Sequence, residues 1–392
     1  MSKSGGSFIL ITISGISFVL FVFLAPSFLK STYYASSSKV VLGEILTTSI
    51  LPQIISVTHL DTPEPLKAIY MTACVTDTPS WRESLKGLID TTELNAIVID
   101  IKDYTGIVSF PNDFPQTDIG RGCVVSDMRE FIQELHKSNI YVIGRIAVFQ
   151  DPSYAKLFPE LAVKTKSNDG AWKDYKGLSF IDVGARPYWD YIVELSKEAY
   201  TLGFDEFNYD YVRYPSDGNM QNTSYTWTVG TTTKPEMLKN FFEYLHDEMK
   251  DTNAKLSVDL FGMTTTVDSD MNIGQVLENT LPYFDYVSPM VYPSHYPSTW
   301  NGFANPAEHP YEVVKIAMNS AREREQLWFI KNGIATSTPS KMRPWLQDFN
   351  LGATYGPDKV RAQIQATYDV GLTSWMLWNA GNKYTAPALL PE

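Results

Sequence analysis

The sequence predicts a (β/α)8 barrel, and three observations carry that expectation. Eight short β-branched or aromatic runs alternate with amphipathic stretches from Lys67 onward. Several of those runs end in charged or aromatic residues of one parity, as strands do when they deliver side chains to the C-terminal rim of a barrel. No Gly-rich phosphate loop follows the first run, which counts against the open doubly wound sheet. The runs are Ala68–Val75, Ala96–Lys102, Tyr141–Phe149, Glu206–Arg213, Lys255–Met263, Tyr286–Tyr292, Met342–Phe349 and Thr373–Trp378. Helical stretches such as Val125–Lys137, Tyr188–Leu202, Pro235–Lys250, Pro310–Arg324 and Asp358–Val370 separate them, with apolar residues three and four apart.

Strand by strand, the polar residues fall into place. Strand 1 carries Cys74, read as a core residue. Strand 2 puts Asp100 and Lys102 on one face as an ion pair, and Asp103 opens the loop beyond. Strand 3 contributes Arg145. After it, Leu161–Lys166 and Leu178–Val183 flank the turn tripeptide Asn168-Asp169-Gly170, which predicts a β-hairpin insertion at the rim. Strand 4 places Glu206, Asn208 and Asp210 on one face, so Asp210 is the rim carboxylate and Arg213 its nearby partner. Strand 5 places Ser257, Asp259 and Phe261 together, making Asp259 a second rim carboxylate. Strand 6 runs into Tyr292 and His295. In the seventh unit Leu327–Ile330 competes with Met342–Phe349, the preferred strand, which brings Trp345, Gln347 and Asp348. Strand 8 ends in Trp378 and Asn379.

The barrel has a preface. Phe8–Leu29 is uncharged and apolar and, at 1.5 Å per residue, long enough to cross a hydrocarbon core of ~30 Å. Residues 1–30 are read as an uncleaved signal anchor, in preference to a cleaved signal, with the bulk of the chain outside the cytoplasm. Residues 31–66 form a tether, and 67–392 the barrel, at the cell surface or in the periplasm, or secreted if the segment is cleaved. The net charge of -12, with no Lys/Arg cluster, excludes nucleic acid as a partner. Cys74 and Cys123 are too few for a disulfide framework, and two buried free thiols are preferred over a single disulfide. His59, His136, His246, His295 and His309 lack paired-ligand spacing, so neither a metal nor any other cofactor is expected. Asn222-Thr223-Ser224 matches a glycosylation sequon.

Rim carboxylates ringed by Tyr, Trp and Arg suit a sugar-binding cleft, because aromatic faces cover the C–H side of a pyranose while fixed polar groups bond its hydroxyls. Asp210 and Asp259 are the expected catalytic pair. Trp172, Tyr292, Trp345 and Trp378 are the expected platform, and Asp100, Lys102, Asp103, Arg145, Arg213, His295, Gln347, Asp348 and Asn379 complete the expected substrate-binding set. The stretches Asn95–Gly106 (NAIVIDIKDYTG), Tyr141–Pro152 (YVIGRIAVFQDP), Gly203–Pro215 (GFDEFNYDYVRYP), Arg343–Phe349 (RPWLQDF) and Gly371–Ala380 (GLTSWMLWNA) resemble, in order, the bacterial "putative glycoside hydrolase domain" family of TIM barrels. That resemblance spans nearly all of Leu66–Tyr384 and implies a barrel related to glycosidases with a strand-4 acid at Asp210. The function expected is hydrolysis of a cell-surface or extracellular polysaccharide by two carboxylates. Asp210 is the nucleophile or base and Asp259 the acid, the reverse assignment standing as the alternative. A glycan-binding barrel without catalysis, or a polysaccharide deacetylase, are the rival readings.

Overall fold

Eight parallel strands close into a barrel in chain order: β1 (Lys67–Met71), β2 (Ala96–Lys102), β3 (Tyr141–Ala147), β4 (Glu206–Asp210), β5 (Lys255–Phe261), β6 (Tyr286–Met290), β7 (Trp345–Gln347) and β8 (Trp375–Trp378), with β8 pairing back onto β1. This computed structural model describes residues 57–116, 122–167, 169–228 and 230–391. The segment read as an anchor, residues 31–56 of the tether and Asn168 of the expected turn lie outside them. Among the described residues no helix is long and apolar enough to cross a membrane.

Every residue of β2 and β3 is buried. One face packs into the barrel lumen and the other under the helices, which is why these strands read as apolar runs and not as alternations. The longer helices are α1 (Pro79–Asp90), α2 (Met128–Lys137), α3 (Arg186–Tyr200), α4 (Lys234–Met249), α5 (Pro310–Lys331) and α6 (Pro357–Asp369). Their starts follow local chemistry. Proline occupies the first turn of α1, α3, α4, α5 and α6, where its missing N–H has no intrahelical partner to lose. Thr233 and Glu236 close a reciprocal capping box on α4. Between β5 and β6 the described chain makes only 3-10 turns, Gly262–Thr265 and Leu277–Asn279.

The strand expectations hold in position; strand 2 keeps its expected bounds and the others stop short at one or both ends. Leu327–Ile330, the rival for strand 7, belongs to α5, with Leu327 and Ile330 exposed. Strand 1 stops at Met71 because the Thr72 side chain accepts the Val75 N–H and starts a helical turn, Ala73–Thr76. Cys74 is therefore neither in a strand nor in the core. It is exposed, and it forms a disulfide with Cys123 across a Cα–Cα distance of 5.0 Å, correcting the free-thiol reading. The bond clips the loop after β1 to the loop after β2.

The insertion after β3 is only partly the expected hairpin. Isolated antiparallel bridges join Ala162 to Ile181 and Lys173 to Ser179. The regular ladder of Lys164–Thr165, however, forms with Thr223–Ser224 from the loop after β4. Trp172 packs there against Val163 and Phe180, and its indole N–H donates to the Asn219 carbonyl at 3.1 Å. At the opposite end of the barrel the described end of the tether docks: Leu60 N–H donates to Asp205 at 2.7 Å, and the His59 ring stacks on Tyr200 at 4.0 Å.

Candidate active site

Inward parity on adjacent strands brings the two rim acids together. Asn208 pairs with Ser257 and Tyr209 with Val258 across β4 and β5, so one step further Asp210 and Asp259 stand level. Both line one cavity of about 310 Å³ at the C-terminal end of the barrel, with Arg145, Tyr211, Arg213, Tyr292, His295 and Trp378 among its walls. Gly262 lies in that wall because nothing larger fits: a Cβ there would come within 2.5 Å of the Met290 carbonyl oxygen.

The two acids are held differently. The Arg145 guanidinium bridges two carboxylates, donating from Nη1 to Asp100 at 2.7 Å and from Nη2 to Asp210 at 2.5 Å. Its plane rests over Trp378 at 5.0 Å and Tyr70 at 5.6 Å, and those two rings stack on each other at 4.0 Å. The other oxygen of Asp210 accepts the Tyr211 backbone N–H at 2.6 Å. Tyr211 takes a left-handed φ of 51° to turn the chain out of β4, an uncommon conformation for a non-glycine residue.

Asp259 has no cationic partner among the described residues. Asn208 Nδ2 and Trp345 Nε1 both donate to its Oδ1, each at 2.8 Å. With 1% of its surface exposed, burial first and the Asp210 charge second push its carboxyl well above the usual range. The Asn208 bond, the Arg145 charge and the Trp345 bond pull the other way without prevailing. Asp100, behind Arg145 and hydrogen-bonded by Tyr70 at 2.5 Å, is raised by burial to about 6. Tyr292 stays a neutral hydroxyl, its ionisation opposed by burial and by the charges of Asp259 and Asp210.

Several expected site residues stand elsewhere. Lys102 does not pair with Asp100, because a bulge between them shifts the register and turns Lys102 outward to Asp151 at 2.8 Å and Tyr188 at 2.9 Å. Asp103 caps its own loop through the Thr105 N–H at 2.8 Å. Arg213 is not the partner of Asp210; it donates to the Tyr214 carbonyl at 3.2 Å and Ser216 Oγ at 3.1 Å. Trp345 is fully buried and serves Asp259 from behind, so it offers no platform, and Trp172 is outside the cavity. Gln347 ties β7 to the loop after β6 through the Ser294 N–H, Asp348 accepts from Thr385 at 2.6 Å, and Asn379 donates to the Lys383 carbonyl at 2.7 Å. These three fasten rim loops together. Conversely Tyr70, Tyr211, Met263 and Tyr296 belong to the site or its support, and no assignment from sequence reached them; the inward parity of Tyr70 in strand 1 was the available signal. Among the described residues no group of three or more His, Cys, Asp or Glu is arranged to hold a metal ion.

Solved structures show similar barrels. The PgaB (BpsB) glycoside hydrolase domain from Bordetella bronchiseptica is 12% identical, with a TM-score of 0.58 over 81% of this chain and 95% of that one. The α-L-fucosidase isoenzyme 2 from Paenibacillus thiaminolyticus is 10% identical, with a TM-score of 0.55 over 83% of this chain and 48% of that one. A hypothetical protein from Ruminiclostridium thermocellum ATCC 27405 is 32% identical over 49% of this chain and 96% of its own length, with a TM-score of 0.44. No curated protein matches the chain. At 10–12% identity the first two likenesses establish the fold, since one barrel scaffold hosts many chemistries. The profile described as "putative glycosyl hydrolase domain" matches residues 68–384, the whole closed barrel, and the chain belongs to that family.

Proposed function

We propose that the barrel is a glycoside hydrolase that cleaves a cell-surface or extracellular polysaccharide with two carboxylates. One observation carries the reading: two acids of opposite electrostatic circumstance, the ion-paired Asp210 and the uncharged-favouring Asp259, share one cavity on neighbouring strands. That is the division of labour glycoside cleavage needs. Asp259 gives its proton to the glycosidic oxygen as the bond to the anomeric carbon breaks. Asp210 faces the positive charge that develops on the sugar ring and acts as nucleophile on the anomeric carbon or as base toward water. Trp378 and Tyr292 supply apolar walls for the sugar, and Arg145 holds Asp210 in position.

An extracytoplasmic location fits a disulfide whose Cys74 is exposed, since such bonds persist in oxidising compartments; the apolar Phe8–Leu29 segment would hold the protein to the membrane. The full chain should then sediment with membranes, and the chain lacking residues 1–30 should not. The enzymatic reading is tested by incubating the full chain with a panel of polysaccharides and measuring new reducing ends. Turnover by the wild type, lost in Asp210→Asn and Asp259→Asn with melting temperature nearly unchanged, is the expected result. Glycan binding with no cleavage by the wild type would make this a binding barrel, and acetate release without new reducing ends would make it a deacetylase.

A further inference from the structure

We infer that the cavity holds a subsite for an anionic substituent of the glycan, a carboxylate or a sulfate ester, with Arg213 as its counter-ion. The inference rests on the glycosidase reading of the same cavity. The other buried cations of the barrel are neutralised within the protein: Arg145 by Asp100 and Asp210, Arg343 by Glu206, Lys102 by Asp151. Arg213 is 8% exposed and, among the described residues, has no carboxylate within ion-pair distance. Its two protein acceptors, the Tyr214 carbonyl and Ser216 Oγ, are neutral, and both bond Nη1. Nε and Nη2 make no hydrogen bond to the described residues. Neither is among the buried atoms left without a hydrogen bond, as the Nε atoms of Arg145 and Arg343 are, and Arg213 lines the cavity.

A guanidinium stays charged in a protein. Burying one without a counter-charge is costly, and the cost is recovered when an anion arrives. Its planar fork matches carboxylate and sulfate oxygens two at a time. The fork is already oriented, because the Phe261, Tyr211 and Phe180 rings surround it at 4.9, 5.2 and 5.6 Å. Asp210, Asp217 and Asp174 act on it only from beyond contact distance. The rest of the surface does not favour polyanions, since the chain carries a net charge of -12. Arg213 is thus where a preference for acidic glycans is expected to arise.

The test uses the full chain carrying Asp259→Asn, so that bound sugars are not consumed, on an array pairing uronate-bearing oligosaccharides, sulfated oligosaccharides without uronate, and the neutral counterpart of each. The expected result is a preference of about ten-fold or more for the acidic member of a pair, the scale of one charge-assisted hydrogen-bonded contact. Adding Arg213→Gln should bring that ratio to about one, and Arg213→Lys, which keeps the charge and loses the fork, should fall between. Whether the uronate or the sulfate arm shows the preference identifies the group. Equal binding of acidic and neutral members, no glycan bound at all, or an undiminished ratio in Arg213→Lys or a folded Arg213→Gln protein would overturn the inference. The two readings fail separately. Neutral glycans cleaved as readily as acidic ones would remove the subsite and leave the glycosidase, whereas an Arg213-dependent acidic preference in a wild type that never cleaves would do the reverse.

Discussion

The two ends of the barrel lumen use the same residue types to opposite effect. At the N-terminal end Arg343 forms a two-pronged ion pair with Glu206, the Tyr286 ring covers the guanidinium at 4.3 Å, and both charged residues are buried. Each charge there meets its complement and nothing is left to react. At the C-terminal end one arginine bridges two of three carboxylates, Asp100 and Asp210, the third, Asp259, is left without it, and Asp210 and Asp259 face a cavity. A buried acid is therefore not evidence of catalysis; a buried acid short of partners beside open space is.

Six substitutions sharpen or break that contrast. The largest effect belongs to the open end: Asp210→Asn and Asp259→Asn should each lower turnover by orders of magnitude while stability moves little. Comparable turnover in both variants would erase the distinction between the ends. At the closed end Glu206→Gln strands Arg343 and should cost about 3–5 kcal/mol of folding stability, read by chemical denaturation. Next comes the cavity wall, where Trp378→Ala should weaken glycan binding by about 1–3 kcal/mol in calorimetry. Trp172→Ala should destabilise the insertion and leave binding unchanged. The smallest effect is electrostatic. Asn208 favours the charged form of Asp259, so Asn208→Ala should raise the Asp259 pKa further. Because the proposed reaction needs Asp259 protonated, activity should fall as pH rises through that pKa, and the variant's alkaline limb should move to higher pH.

Most of the barrel was legible because parallel strands buried on both faces write their position as short apolar runs, and parity alone put Asp210 and Asp259 on the lumen side. Parity fails where the strand is irregular. The bulge after Asp100 reverses the expected direction of Lys102, and no local residue type announces it. Strand 7 shows a different limit: Trp345 was expected in the sugar platform, but whether a lumen indole meets sugar or a carboxylate depends on how far along a three-residue strand it sits. Cys74 and Cys123 lie 49 residues apart in the chain, and only the closed barrel makes them neighbours. Arg213 was expected beside Asp210 on sequence proximity, but the left-handed turn at Tyr211 separates the two side chains.

The bonding of Asp259 also has a directional consequence. Indole and amide N–H groups can only donate, and both reach Oδ1, so the acidic hydrogen of the neutral carboxyl resides on Oδ2. The carboxyl thus has a fixed carbonyl oxygen and a fixed hydroxyl oxygen. Under the proposed mechanism the proton would leave from and return to that one oxygen, with no exchange of roles between the two.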